Sequence, residues 1–539
     1  MGPLARWASR DPKERICIML ECSSDTDMFK FAVKLYRSSL DRNLITGLRA
    51  IVARPLAIIC QSAFPLLPVL FGCLAFASFS TANAQTVTAR ISVISTNPAR
   101  IRVSAELNQA TRTVSFRQTY AGILGLGERI QSLQAVSGSG TALGMHTMGA
   151  GEFRADEAFS RFSYEVDLAP PSRPSQMSHV SWLNQDQGLL LMADLLPQRF
   201  DGASNSKAQV TIEAPDGWSL RGNLNSRGST YALNDPESAI FLLSRSIHEK
   251  QQRFSSIDVS VILSGEWPVS ESEVLKSTTR ILREYLRVTK FTLRDDAFLF
   301  LVPYAGGAGP DNWTSETRGN AVVLLLGKNS TARRVLARLE VVLSHELFHL
   351  WVPNSLRLPG AYDWFFEGFT IYQALRTDLR LGFISFDGYL ETLARVMDSY
   401  TAAGSDSLSL LDASEQRWTT SAQTVYEQGM LVAFVYDLML RKQSGCDASL
   451  EDMYPKLFRV ASAGQASANE IIIKLLTEPD DLKTFARDYL ERPAKINLDE
   501  IFSSYGIVQS SGSGPTRWTP AGNLSPAQRK LLGCLGYKK

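Results

Sequence analysis

A chain of 539 residues is too long for one average core, and its 45% apolar and 20% charged content is ordinary for a soluble globular protein built from two or three domains. The net charge of +2 hides an asymmetry: residues 1–84 carry ten Lys/Arg and six Asp/Glu, leaving 46 and 48 on the other 455. That balance, with no basic stripe interleaved with aromatics, excludes a nucleic-acid binder.

Residues 1–84 read as an address rather than a fold. No charged side chain occurs from Pro55 to Ala89, Arg42, Arg49 and Arg54 precede the apolar run, and Ala82 and Ala84 form an A-x-A pattern. A signal peptide cleaved after Ala84 is expected, with Met28 a candidate initiator. The alternative is an uncleaved membrane anchor over residues 56–80, because the run is long enough to span a bilayer. Pro65 and Pro68 in its middle favour cleavage. The mature protein is therefore expected in the periplasm or outside the cell, meeting a membrane only if the leader is retained. Cys17, Cys22, Cys60 and Cys73 lie in the leader, so Cys446 and Cys534 remain. Two cysteines permit one disulfide and exclude both a disulfide scaffold and a cysteine-based zinc ribbon; whether they pair stays open.

From residue 85 to 264 the chain shows short apolar or alternating runs, among them "ARIRVSAEL", "FSYEVDLA" and "SIDVSVILS", punctuated by Gly, Pro, Asn and Asp. This pattern predicts a β-sandwich-like domain. His146, His179 and His248 stand isolated within it and read as satisfied or surface histidines. Near Gly265 the character changes. Ser270 and Glu273 have capping-box spacing ahead of a helical pattern, and strands "AFLFLV" and "AVVLLLG" follow. From Thr331 the pattern is almost wholly helical, so residues 265–507 read as a second, mostly helical domain. The tail 508–539 is expected to be poorly ordered. The fold class expected is α+β.

The chemistry concentrates between Ser344 and Thr370. His345, Glu346 and His349 form H-E-x-x-H, which on a helix puts both imidazoles on one face within reach of a single Zn²⁺. No H-x-x-G-x-x-H continuation follows, which argues against the metzincins. Instead "WFFEGFT" supplies Glu367 as third ligand, after a turn carrying Pro353, Pro359 and Gly360. The aromatic setting of Glu367 marks a buried carboxylate, and a buried carboxylate wants a cation. Asp363 is the rival ligand, read here as the N-cap of the helix that carries Glu367.

"HELFHLW", "WFFEGFT" and "VYEQGMLVAFVYDLMLRKQSG" together closely resemble the glycyl aminopeptidase family of gluzincin metallopeptidases, from about Leu263 to Ile507 in order and spacing. The resemblance implies a thermolysin-like catalytic domain, one Zn²⁺ per chain and a peptide or protein substrate. It implies Glu346 as general base towards the attacking water and Tyr426, in "Y-E-x-G", as hydrogen-bond donor to the oxyanion. Where related enzymes carry an acidic G-G-L-E-H-like segment, this chain has "GGAGPDNW" from Gly306 to Trp313, with Asp311 as its only acid. The resemblance implies an aminopeptidase-like activity, while this departure raises the alternative of an endopeptidase of the same fold; a non-catalytic binding or scaffold protein on that fold is the further alternative. No PDZ-like domain is expected after residue 507.

Overall fold

The computed structural model describes residues 85–201, 203–224, 228–304, 312–327, 331–404, 408–461, 466–493, 495–510 and 514–538. The leader, and the segment 306–311 that contains Asp311, lie outside the described residues. The N-terminal part is a sandwich-like pair of sheets. Gln85–Thr96 and Ala99–Ser115 form a long antiparallel hairpin in an eight-stranded sheet. Alternate residues such as Ile91, Ile101 and Val103 point inward, as the two-residue period of a half-buried strand requires. Leu190, Phe241 and Leu243 from a four-stranded sheet (Ser219–Gly222, Ile240–Ser244, Gln187–Leu191 and Trp182–Leu183) close that core.

A five-stranded sheet comes next: β1 (Ile247–Phe254), β2 (Ile257–Ser264), β3 (Ala297–Pro303), β4 (Trp313–Arg318) and β5 (Ala321–Leu326). Its order is β1-β2-β3-β5-β4, with β2, β3 and β5 parallel and the outer two antiparallel. The boundary expected at residue 264 therefore moves: the β1–β2 hairpin belongs to this sheet, because β2 pairs in parallel with β3. The apolar runs are continuous because the sheet is covered on both faces. Leu299, Leu301 and Leu324 meet the helices, while Phe298, Phe300, Val323 and Leu325 meet the four-stranded sheet.

Six helices matter for the site: α1 (Glu271–Thr289), α2 (Ala332–Glu346), α3 (Thr370–Leu381), α4 (Phe386–Ala403), α5 (Gly429–Gln443) and α6 (Pro526–Cys534). The capping box read at Ser270 and Glu273 opens α1, with both reciprocal hydrogen bonds present. Among the described residues no helix is long and apolar enough to cross a membrane.

The tail expected to lack order is folded. Ile507–Gln509 pairs with Trp518–Pro520, Trp518 is buried against Phe434 and Phe502, and α6 docks beyond it. Among the connections that hold α6 are a Cys446–Cys534 disulfide, hydrogen bonds from Arg376 to the Leu535 carbonyl, from Arg441 to the Cys534 carbonyl and from Gln528 to the Ser503 carbonyl, and the burial of Leu532 and Leu535. The tail has one local signal, the Ser525–Gln528 capping box with Pro526 at the first helical position that opens α6; its other anchors pack against segments distant in sequence and show no local period.

Candidate active site

Four segments converge around the H-E-x-x-H sequence. Thr331 caps α2, which runs to Glu346, and the last turn tightens into a 3₁₀ helix over Leu347–Leu350 that carries His349. The chain then reverses through the Pro/Gly turn. Glu367 lies on a π-helical turn, Trp364–Phe369, that leads into α3. A second π-helical turn, Thr424–Gln428, carries Tyr426 into α5. Wide turns of this kind recur at functional sites because they re-aim one side chain relative to the helix that follows.

The sequence-predicted ligands come together. His345 Nε2 and His349 Nε2 are 3.0 Å apart, and each lies 3.5 Å from Glu367 Oε2. Ligand atoms on a tetrahedral ion with bonds of about 2.0–2.1 Å are roughly 3.3 Å apart, so the triangle fits zinc. The hydrogen bonding fits as well. His349 Nδ1–H donates to the Val352 carbonyl at 2.9 Å, which leaves the Nε2 lone pair facing the centre. Glu367 Oε2 is buried and, among the described residues, accepts no hydrogen bond. An orphaned carboxylate oxygen facing two imidazole nitrogens is an arrangement that a cation completes.

Glu346 is buried beside this triangle, held by the edge strand β4. Ser315 Oγ donates to its Oε1 at 2.7 Å and Thr317 Oγ1 to its Oε2 at 2.5 Å. Successive strand residues point to opposite faces, so Glu316, between them, points away. Its carboxylate takes hydrogen bonds from Tyr120, His179 and Arg318. Burial would raise this carboxyl, but Arg318 and His179 outweigh that and hold it at about 2. Glu316 lies outside "GGAGPDNW", three residues beyond Trp313 on the same strand, where the sequence alone gives no sign that it is buried.

One further correction concerns a carboxylate. Asp363 stands at the N-cap position of Trp364–Phe369 but does not cap it: it has helical backbone angles and makes no side-chain cap bond. Its Oδ1 instead accepts from Arg417 Nη1 at 2.9 Å. Arg417 was not foreseen. Its Nη2 donates to Glu367 Oε1 at 2.8 Å and also to the Tyr426 hydroxyl. Its guanidinium carbon sits 4.2 Å from the Trp418 ring centre, 5.1 Å from that of Tyr426 and 5.6 Å from that of Phe366. Burial would raise Glu367, but Arg417 and His349 prevail and hold it well below the usual carboxylate range. Burial, and then the Glu367 charge, raise the Tyr426 phenol well above its ordinary value, so it remains an O–H donor.

Comparison with known proteins gives three findings. Residues 338–432 match the model of the M61 glycyl aminopeptidase family. The fold is similar to the crystal structure of an aminopeptidase N family protein from Idiomarina loihiensis, with 18% identity, 79% of each chain covered and a TM-score of 0.66. An M1 zinc metallopeptidase from Deinococcus radiodurans matches at 12% identity over 77% of this chain and 95% of that one, with a TM-score of 0.48. No curated protein matches.

Proposed function

We propose that this chain is a zinc metallopeptidase of the M61 glycyl aminopeptidase family and that it hydrolyses peptides in an aminopeptidase-like manner with the constellation just described. The observation that carries the reading is the triangle of His345, His349 and Glu367 with Glu346 buried beside it. His345, His349 and Glu367 would hold one zinc ion per chain. That ion, when bound, supplies Lewis-acid polarisation of the scissile carbonyl and makes the attacking water more acidic.

The chain's own residues do the rest. Glu346 accepts the proton of the attacking water and returns it to the leaving amine. The hydroxyls of Ser315 and Thr317 fix the direction of that carboxylate, and each of its oxygens keeps a lone pair for the water. Tyr426 donates its hydroxyl proton to the oxyanion as charge develops there. The substrate class we read is peptide; the apolar run and A-x-A pattern before Gln85 support export with cleavage after Ala84, to the periplasm or outside the cell, and a leader left uncleaved would instead anchor the enzyme through residues 56–80. The Cys446–Cys534 disulfide supports such an oxidising location.

A second reading, as an endopeptidase, has one observation in its favour. Glu316, the carboxylate on the strand beside Glu346, is engaged by Arg318, His179 and Tyr120 and so is committed to partners other than a substrate ammonium. Free and N-acetylated forms of the same peptides separate the two. Cleavage of the free forms alone supports the aminopeptidase, and equal turnover of blocked peptides the endopeptidase. Zinc near zero by elemental analysis of protein purified without chelator would sink both.

A further inference from the structure

We propose that Arg417 is the positioning residue of this centre, holding Glu367 so that a single oxygen faces the metal and holding Tyr426 so that its proton faces the substrate. The inference rests on the zinc-peptidase reading above and assigns a role to a residue outside the H-E-x-x-H, "WFFEGFT" and "YEQG" sequences.

The argument is one of donors and acceptors. A guanidinium only donates. In its contact with Tyr426 the phenolic oxygen must therefore accept, and the tyrosine's own proton is left to point elsewhere. In its contact with Glu367 it occupies Oε1, while Oε2, 3.5 Å from both imidazole Nε2 atoms, takes no hydrogen bond among the described residues. One planar cation thus assigns both orientations at once: which carboxylate oxygen is the ligand, and which way the hydroxyl proton turns. The bond to Asp363 and the aromatic faces of Trp418, Phe366 and Tyr426 fix the plane of the guanidinium. A lysine ammonium has the same charge but is a point donor on a flexible stem, and it cannot span three acceptors in one plane.

The test measures metal binding separately from turnover. Zinc affinity is measured by competition with a chromophoric chelator, with zinc alone as probe, for wild type, Arg417→Lys, Tyr426→Phe and the double variant. Arg417→Lys is expected to bind zinc ~10- to 100-fold more weakly in both tyrosine backgrounds, as loss of partners that orient metal ligands does. At saturating zinc its kcat on a peptide should fall ~10-fold or more with little change in KM, since the lost interaction forms in the transition state. In the Tyr426→Phe background the same replacement should cost kcat less than about threefold, because the proton it oriented is gone. Strictly additive losses in kcat overturn the link to Tyr426, and a zinc affinity within twofold of wild type overturns the link to Glu367. Should Arg417→Lys not fold, Asp363→Asn loosens the guanidinium while keeping an acceptor: a measurable loss of zinc affinity supports the proposal, and no change overturns it. Wild-type protein that binds no zinc overturns the peptidase reading and this inference together, whereas tight wild-type binding with unchanged variants overturns only the role of Arg417.

Discussion

Gly368 and Gly429 meet backbone against backbone: a Cβ on Gly368 would lie 2.5 Å from the Gly429 Cα, and one on Gly429 would lie 2.8 Å from the Trp364 carbonyl oxygen. One glycine follows Glu367, and the other follows Tyr426 by three residues. The close approach they permit lets a single arginine side chain reach both functional groups. Neither glycine has a positive φ, so each is needed for proximity and not for turn geometry. Gly368→Ala is expected to destabilise the fold by about 1–3 kcal/mol in urea unfolding, as overpacking does, and to lower kcat by separating Glu367 from Tyr426. Wild-type stability and turnover in this variant would show that the two turns can part without consequence.

Glu346→Gln keeps the shape of the side chain and removes its basicity. Zinc content should stay at the wild-type level while hydrolysis falls by roughly 10²- to 10⁴-fold. Metal analysis and peptide turnover on one sample check both halves, and retained turnover would reassign the base.

Ser315 and Thr317 hydrogen-bond Glu346 and, among the described residues' hydrogen bonds, none of His345, His349 and Glu367. Thr317→Val and Ser315→Ala should each lower kcat, by about tenfold, with KM nearly unchanged, and Thr317→Ser should restore most of the loss. Zinc affinity is the control and should not move in any of the three.

Glu316 gives a pH dependence with a definite sign. Its carboxyl sits near 2 in the folded chain against an ordinary 4.5, so its stabilisation is complete above about pH 4.5 and is lost as pH falls towards 2. The loss amounts to roughly 3 kcal/mol. Glu316→Gln should be less stable at neutral pH, with Arg318 left without its buried partner, and should lose less stability than wild type between pH 4.5 and 2. Unfolding free energies at several pH values give the comparison; parallel profiles would show that Glu316 does not carry the dependence.

Reduction of Cys446–Cys534 removes a cross-link between residues 88 apart in sequence and should cost about 2–5 kcal/mol. Thermal melts with and without dithiothreitol check it, and an unchanged midpoint would mean that the hydrogen bonds and buried leucines of α6 suffice to hold it.

The parts of this molecule that could be read from sequence share one property: their signal is local. The H-E-x-x-H spacing lies within one turn, Glu367 announced itself by aromatic neighbours, and the strands and helices of the catalytic part showed their periods within a dozen residues. Arg417 is the opposite case. It lies 50 residues from Glu367, in the polar stretch "SEQRWTTS", and only tertiary folding shows that it is buried. Asp363 had the composition and place of a cap, but a charged partner far along the chain took its carboxylate. The β1–β2 hairpin looked like one more strand pair of the sandwich, because periodicity reports burial and not which sheet provides it.

The connections that hold α6 also bear on the order in which the protein is made. Helix α5, which begins three residues after Tyr426, is covered by Trp518, and its Arg441 reaches the carbonyl of Cys534. When a ribosome has just added Cys446, its disulfide partner is still 88 residues from being translated. All the residues of the proposed centre therefore exist before Trp518 and Cys534, which contact α5, have been added. The disulfide thus ties the chain just past α5 to a segment translated only after every residue of the proposed site, and it can close only once Cys534 has been made and the two thiols have met an oxidant.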